Sequence, residues 1–421
     1  MNQPTKFDQR SILTPLFLSL LITEVLSSLG QVILTFALPL HLLNLTGSAS
    51  LYGLVTALAL IPSVLLTPLG GGLADRLNKR TSMAVLDFST AVLAALYLLL
   101  SRKLDLVVLT IAVMMDVYGL HALYSPVVQA AVPFIIDASG EHGNERLTRA
   151  TALITQVTSL TIMLGPVLAG MLLGFAGIGP VVLLAGLACL LSSIWIALAL
   201  PIPRRPAAES SRGLLKNLLA DFAQAAHFLL ARYQLIVVNL LVTLANFVFA
   251  AFANVALPYV VTQLLGLSNQ LQGLAEGLIS AGGLAGAVLV AVRPAWFTLE
   301  RVRALLAACG LCLLPIALSL FFAAPPMVSY LVLLASLAVA VGLIQCVSVT
   351  FIAYEQTETP KDLVGKVIGL TMCLAMAAMP LGQALYGPII DHLPMPAIML
   401  AVALIMVTAS LLARRSMRAH S

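Results

Sequence analysis

Apolar and polar positions alternate along this chain in blocks the length of whole helices. Apolar runs of about 20 residues recur from one end to the other, separated by short polar breaks. A helix of that length crosses the hydrocarbon core of a bilayer, which is about 30 Å thick. Strands of a membrane barrel would instead give alternating segments of about 10 residues. The pattern therefore predicts an all-α membrane protein.

The runs predict twelve transmembrane helices, numbered spans 1 to 12 in chain order. They cover approximately residues 15–42, 50–70, 81–101, 105–128, 150–175, 179–201, 234–265, 270–292, 303–323, 327–351, 364–390 and 395–413. The residues before span 1 are polar, and span 1 lacks the small-residue cleavage site of a secretory signal. We therefore expect span 1 to be retained as a membrane helix.

Composition and charge agree with this prediction and indicate an orientation. Only 9% of the 421 residues are charged, against about a quarter in a soluble protein, and the mean hydropathy is +1.05. With the N-terminus in the cytoplasm, 20 of the 22 lysines and arginines lie on the cytoplasmic side, as the positive-inside rule requires. The net charge of +5 is then a topology signal, and no nucleic-acid partner is expected. We predict cytoplasmic N- and C-termini in a bacterial inner membrane.

A polar break over residues 202–232 divides the spans into two sets of six. The predicted domains are an N-terminal bundle at 1–201, a cytoplasmic linker at 202–232 and a C-terminal bundle at 233–421. The linker contains an amphipathic stretch, LLKNLLADFAQAAHFLL, whose leucines share one helical face. We expect this helix to lie along the inner membrane surface, either as a plain connection or as a partner-binding element.

The two sets of spans repeat each other weakly in sequence. ALPLHLLNLTGSASLYG at 37–53 matches ALPYVVTQLLGLSNQLQG at 256–273, at an offset of 219 to 220 residues. GPVLAG at 165–170 matches PLGQALYG at 380–387, at an offset of 217 between the last glycines. Such symmetry is typical of transporters with duplicated halves, whose substrate site lies near the bilayer midplane where the halves meet.

A dense charge cluster, GGGLADRLNKR, lies between spans 2 and 3. Its order of glycine, Asp-Arg and two basic residues resembles the loop motif of the major facilitator superfamily. The matching positions are Gly71, Asp75, Arg76, Lys79 and Arg80. The resemblance implies two pseudo-symmetric six-helix bundles and a charge latch that closes the cytoplasmic gate in one conformation. We assign Asp87, two turns into span 3, to the same gating network.

The charge cluster also allows a simpler interpretation, and one of its positions departs from the motif. The alternative to a latch is that its basic residues only anchor the loop on the cytoplasmic side. Asn78 stands where the superfamily motif has a glycine. Because asparagine tolerates the left-handed conformation, we expect the turn to be kept.

Other stretches of the first half resemble the macrolide-efflux and siderophore-export permeases of this superfamily. These stretches are the run that begins with ALPLHLLNLTG, YSPVVQAAVP at 124–133, and residues 149–170. Gly165, Pro166 and Gly170 match the Gly-Pro motif that the superfamily's exporters carry in span 5. Proline kinks such a helix, and glycine lets a neighbouring helix approach closely.

The resemblance implies a secondary transporter that works by alternating access. The expected activity is proton-coupled export of an amphipathic or hydrophobic small molecule, such as a drug or siderophore. The expected partners are this substrate, protons and the lipid bilayer; a monomer suffices, and no catalytic site, cofactor or metal is expected. One alternative is a lysophospholipid flippase or facilitative transporter without strict proton coupling. Another is a membrane receptor or scaffold that uses the same fold without transport.

Ionisable and polar residues inside the spans are the candidate site residues. Glu24 in span 1 and Asp116 in span 4 lie near the midplane, where a charge costs at least about 2.5–3.5 kcal/mol. For each we predict proton coupling or binding of a substrate cation, the alternative being a structural hydrogen bond between helices. Glu276, early in span 8, is a candidate outer-gate residue.

Polar stripes predict the substrate cavity. In the superfamily that this chain resembles, the cavity is lined mainly by spans 1, 4, 7 and 10. Spans 1, 7 and 10 carry polar side chains three and four residues apart, which places them on one helical face. The predicted cavity residues are Gln31, Asn239, Thr243, Asn246, Gln345 and Ser348.

Overall fold

A computed structural model describes residues 14–76, 78–136, 143–200, 214–361 and 363–419 of the chain. At 68–69, 71–76, 214–219, 299 and 413–419 the backbone alone is described. Within these ranges twelve helices are long and apolar enough to cross a membrane, which confirms the predicted fold class and the number of spans.

Six spans form the N-terminal bundle. Their helices are Pro15–Thr46, Ala49–Arg76, Lys79–Leu100, Leu106–Ile135, Gly143–Ala176 and Ile178–Ala199. Span 4 continues past its predicted end near 128, and span 5 begins before its predicted start near 150. Hydropathy marks only the part of a helix that lies in hydrocarbon, and polar turns can extend it into the interface.

A linker helix and six further spans follow. The linker helix covers Leu214–Leu230, and spans 7 to 12 cover Tyr233–Leu264, Asn269–Val292, Glu300–Phe321, Pro326–Glu358, Val364–His392 and Met395–Ala419. Span 7 contains π-helical turns at Asn246–Ala250 and Val260–Leu264. Span 9 breaks at Cys312, because Pro315 has no N–H to donate to the carbonyl of Leu311.

Polar side chains and one glycine fix the ends of several spans. Thr14 accepts a hydrogen bond from the amide of Phe17 at 3.2 Å and so caps the start of span 1. Asp105 accepts two backbone amide hydrogen bonds, at 2.9 and 3.0 Å, at the start of span 4. Gly47 ends span 1 with φ of 67°, a left-handed conformation that favours glycine.

Asn78 begins span 3 as a helix cap. Its backbone is extended, with φ of −69° and ψ of 108°, and its side-chain oxygen accepts a hydrogen bond from the amide of Thr81 at 3.4 Å. The prediction that Asn78 replaces a left-handed glycine is therefore wrong. Asparagine is favoured at the cap position because its side chain satisfies an amide that the helix leaves unpaired.

The two bundles meet closely at one face of the molecule. We call this the distal face; it carries the connections from odd-numbered to even-numbered spans, and the opposite, proximal face is the one predicted to be cytoplasmic. A Cβ atom added to Gly53 of span 2 would lie 3.2 Å from Cα of Gly387 in span 11. A Cβ atom added to Gly170 of span 5 would lie 2.9 Å from Cα of Gly273 in span 8. These four glycines end the repeated stretches of the sequence, and each pair lets two helices cross at backbone contact.

The linker helix docks on the C-terminal bundle. Ala225 and Leu229 of this helix pack in an apolar cluster with Val367 of span 11. Lys366 Nζ also lies 2.8 Å from Asp221 Oδ1 of the helix. Residues 201–213 and the side chains of the first helical turns lie outside the described part, so the domain boundary and the membrane-facing leucines stay predictions.

Candidate functional site

Asp87 of span 3 lies in a polar cluster inside the N-terminal bundle. Its side chain is fully buried, and its two carboxylate oxygens accept hydrogen bonds from Ser27 Oγ and Ser192 Oγ, each at 2.6 Å. Ser27 belongs to span 1 and Ser192 to span 6. Asp87 thus ties three helices together at a depth where a carboxylate without partners is strongly destabilising. The sequence did not single out Ser192, since a serine in an apolar run carries no signal of its own.

Glu24 lies on span 1, close to Ser27, and only one of its two carboxylate oxygens accepts hydrogen bonds from the described residues. Its Oε1 accepts hydrogen bonds from Ser28 Oγ and from Thr158 Oγ1 of span 5, both at 3.1 Å. Its Oε2 is buried and has no hydrogen-bond partner in the described part of the chain. The buried Oε1 of Gln31, two turns further along span 1, also has no hydrogen-bond partner among the described residues. Buried polar atoms are almost always paired, so these two mark a place for a proton, a water or a substrate group.

The two carboxylates belong to one electrostatic unit. Glu24 and Asp87 lie close to each other, and the buried hydroxyl of Tyr124 in span 4 lies near both. The cluster therefore draws on spans 1, 3, 4, 5 and 6. A proton gained or lost at Glu24 changes the field at Asp87, because charges in a low-dielectric interior are poorly screened.

A third buried carboxylate, Glu355 of span 10, lies in the C-terminal bundle towards the proximal face. Its Oε1 accepts hydrogen bonds from Asn239 Nδ2 at 2.9 Å and Thr371 Oγ1 at 2.7 Å. Its Oε2 is buried without a partner among the described residues. Asn239, predicted to line the substrate cavity, is only 5% exposed and holds this carboxylate instead.

The remaining predicted cavity residues of spans 7 and 10 are half-buried, as positions that line a cavity must be. They are Thr243, Asn246, Gln345 and Ser348. Asn246 also begins the first π-helical turn of span 7, and its Nδ2 donates to the carbonyl of Val242 at 3.0 Å. Turns of this kind are frequent at functional sites. The contact of these residues with substrate stays a prediction.

Glu276 of span 8 lies where the two bundles meet. Its Oε1 accepts a hydrogen bond from Gln272 Nε2 at 3.1 Å. Across the seam it lies near Tyr52 of span 2 and Tyr118 of span 4. It also lines a cavity of about 190 Å³ between spans 7, 8 and 10. Any motion that separates the bundles changes the surroundings of this carboxylate.

Asp391, near the distal end of span 11, joins the bundles by hydrogen bonds. Its Oδ1 accepts the amide of Ala49 at 2.8 Å, and its Oδ2 accepts the amide of Ser50 at 2.8 Å and Ser48 Oγ at 3.0 Å. These donors lie at the start of span 2, where the helix dipole favours an anion. The hydrogen bonds of Asp391, and those of Asn44 with Asn269 and Gln263, join the two bundles at the distal face. The sequence did not single out Asp391, because an acid at a span end is unremarkable there.

Lys79 and Arg80 of the predicted latch make contacts within the N-terminal bundle. Arg80 donates to the carbonyls of Ile196 and Ala197 at the end of span 6, with Nε 3.3 Å from the Ile196 oxygen. Lys79 is buried, and its Nζ lies 5.4 Å from the ring centre of Phe134 in span 4. The side chains of three other latch positions lie outside the described part: Gly71, Asp75 and Arg76. The latch therefore stays a prediction.

The Gly-Pro motif of span 5 lies at two helix contacts. A Cβ atom on Gly165 would collide with the side chain of Val32 in span 1. One turn on, Gly170 forms the crossing with span 8, where Gly273 approaches the carbonyl oxygen of Pro166. The small residues of the motif thus let span 5 pack closely against span 1 of its own bundle and against span 8 of the other bundle.

Asp116 projects from a side of span 4 that is not part of the buried cluster. It is exposed and lines a groove of about 530 Å³ on the outer surface of the N-terminal bundle, between spans 2, 3 and 4. Val113 and Val117 belong to the buried face of span 4, and Asp116 lies on another side. Span 4 is apolar all round, so the sequence gives the depth of Asp116 in the membrane but not the face from which it projects.

Comparison with known proteins gives the family. The family model described as Major Facilitator Superfamily matches residues 20–383. The chain belongs to the major facilitator superfamily. This facilitator is 26% identical over 402 residues to the multidrug efflux pump Tap of Mycolicibacterium fortuitum, covering 95% of each chain. It is 20% identical over 371 residues to macrolide efflux protein A of Streptococcus pyogenes, covering 88% of each. It is thus an integral membrane transporter with efflux-pump relatives at low identity.

Solved structures share its fold. A D-xylose–proton symporter superposes with a TM-score of 0.70 at 15% identity, covering 96% of this chain and 97% of the symporter. A bacterial homologue of the iron transporter ferroportin, in an inward-facing state, gives 0.66 at 17% identity, covering 95% and 97%. At such identities the likeness concerns the fold alone.

Proposed function

We propose that this facilitator exports amphipathic or hydrophobic small molecules, such as a drug or siderophore, in exchange for protons. The efflux-pump relatives, aligned over nearly the whole chain, support the direction of transport. The distribution of lysine and arginine supports an inner-membrane location with both termini in the cytoplasm. A monomer suffices, because the two bundles supply both sides of the seam.

The observation that carries the proton coupling is the half-satisfied carboxylate of Glu24. A purely structural carboxylate in the membrane is expected to have both oxygens paired, as Asp87 does. Within the described chain Glu355 also has one unpaired oxygen, but it lies three residues from the proximal end of span 10, whereas Glu24 lies near the midplane. Glu24 has hydroxyl partners on Oε1 and none on Oε2 among the described residues. A protonated carboxyl gains one donor, and the unpaired Oε1 of Gln31, two turns away on the same helix, offers an acceptor that a bridging water can connect to it.

Alternating access gives this proton a path. The distal face is held together by the glycine crossings and by Asp391, so the described state is closed there. Rocking of the bundles would break this seam and close the proximal side, where the predicted latch lies. We propose that a proton enters the Glu24 cluster from the distal side in that second state, and leaves it on the proximal side as the distal seam closes again.

Proton-coupled export is tested in inverted membrane vesicles with an acid interior. A pH-sensitive dye follows the gradient while lipophilic drugs, siderophores and lysolipids are added in turn. We expect at least one compound to dissipate the gradient with wild type and not with Glu24→Gln. Glu145→Gln is the matched control, because Glu145 is exposed and pairs with Arg149 one turn away, at 2.6 Å. It should behave as wild type.

Two results would overturn the proposal. Compounds that cross the membrane with no proton signal would favour a facilitative or lipid-flipping transporter. Equal proton signals from wild type and Glu24→Gln would place the coupling elsewhere. Surface expression and thermal stability of each variant separate loss of coupling from loss of fold.

A further inference from the structure

The groove between spans 2, 3 and 4 holds an exposed carboxylate inside the membrane. Asp116 lies ten residues from the start of span 4 at Leu106, about 15 Å along the helix and within the hydrocarbon core. No hydrogen bond or ion pair from the described residues reaches its side chain. Acidic residues at this depth are rare and normally face the interior of the bundle. An exposed one therefore calls for a ligand.

The walls of the groove suit an apolar ligand of drug size. They are formed by Leu66 of span 2, Phe88 and Val92 of span 3, and Leu120 of span 4, together with a few similar neighbours. Its volume of about 530 Å³ falls within the range of small-molecule sites. The hydroxyl of Ser89, which also lines the groove, already donates its hydrogen to the carbonyl of Val85 at 2.8 Å and so does not donate to a ligand. The carboxylate of Asp116 is then the group that confers specificity.

We propose that this groove is a peripheral site that binds an organic cation with an apolar body directly from the bilayer. A cation would neutralise Asp116 at the depth of the hydrocarbon core, where charges are poorly screened, and the ring of Phe88 offers a second favourable contact for it. The depth of Asp116 argues against a phospholipid headgroup, which remains in the interface. The occupant must carry its charge into the hydrocarbon, as delocalised or bulky organic cations do.

The position of the groove defines its role. All its lining residues belong to the N-terminal bundle, so rocking of one bundle against the other leaves the site intact. Such a site cannot by itself move a ligand across the membrane. It concentrates cationic substrate beside the transporter, and in that respect the inference rests on the proposed export function.

Direct binding tests the groove without reference to transport. The facilitator in lipid nanodiscs is titrated with radiolabelled tetraphenylphosphonium, with empty nanodiscs as background. We expect Asp116→Asn to weaken binding by more than about tenfold, beyond the roughly fivefold that an exposed ion pair in water contributes. Val92→Trp, which fills the groove and keeps the carboxylate, should also weaken it. Asp105→Asn is the control: it makes the same change on the same helix outside the groove, and asparagine still caps a helix.

The outcomes separate the groove from the export proposal. Binding that is equal in wild type and Asp116→Asn overturns the groove, whether or not protons are coupled to transport. Asp116-dependent binding in a protein without proton-coupled flux keeps the groove and overturns the export proposal. In transport assays, Asp116→Asn should raise the half-saturating concentration of a cationic substrate and leave the maximal rate unchanged. Glu24→Gln should lower the maximal rate instead.

Discussion

Replacing Asp391 by asparagine should shift this facilitator towards the state that is open at the distal face. Asp391 accepts three hydrogen bonds from the start of span 2, two of them from backbone amides at 2.8 Å. All three join the two bundles, so all three must break when the seam opens. Asparagine keeps one acceptor oxygen and loses the charge, and its NH₂ group faces a donor.

The magnitude follows from these contacts. A hydrogen bond to a charged group contributes about 1.5–3 kcal/mol, and an anion at a helix start adds about 0.3–1 kcal/mol. Asp391 is exposed, so solvent screening reduces the sum. A net loss of about 1–3 kcal/mol from the closed state corresponds to a shift of about 5- to 150-fold in the equilibrium between the two states.

Distance measurements between spin labels would detect this shift. Lys103 and Phe322 lie in distal connections of opposite bundles and are exposed, so cysteines there can carry nitroxide labels once the five native cysteines are replaced. We expect Asp391→Asn to increase the fraction of molecules in which the two labels are far apart. Asp105→Asn alters a similar pair of amide hydrogen bonds within one bundle and should leave the distribution unchanged. Identical distributions for wild type and Asp391→Asn would refute the assignment of Asp391 as a distal latch.

Three further predictions concern other contacts. Gly273→Val should push spans 5 and 8 apart and make a cysteine introduced at the buried neighbouring position Gln272 reactive towards a membrane-impermeant thiol reagent; an unreactive cysteine would contradict this. Asp87→Ala should lower the melting temperature, because Ser27 loses its buried acceptor at about 1–3 kcal/mol and Ser192 keeps only the longer bond to the carbonyl of Thr23, at 3.2 Å; a change within error would show that water replaces the carboxylate. Arg80→Ala should destabilise the end of span 6 and speed hydrogen exchange there, while Arg80→Lys should rescue it only in part, because lysine lacks the guanidinium fork; unchanged exchange would argue against this cap.

The fold class follows from the pattern of apolar runs alone. A helix that lies in hydrocarbon must be a long apolar run, whatever its neighbours are. Each span can therefore be recognised in the sequence separately, without knowledge of the tertiary structure. The internal repeat predicted two related halves that meet, and the structure adds where they cross. The glycines that end its matched stretches, such as Gly53 and Gly273, are those at which the bundles cross.

The side of a span from which a polar residue projects, by contrast, became known only from the packing of the helices. Glu24 and Asp116 look alike in sequence, yet one joins a buried cluster and the other opens onto the outer surface. Asn239 donates a hydrogen bond from its amide to the carboxylate of Glu355 on another span, a contact that its own sequence surroundings do not indicate. In a soluble helix the apolar stripe marks the buried side, whereas a membrane helix is apolar on every side. Orientation therefore depends on partners that are distant in sequence and meet only when the helices pack.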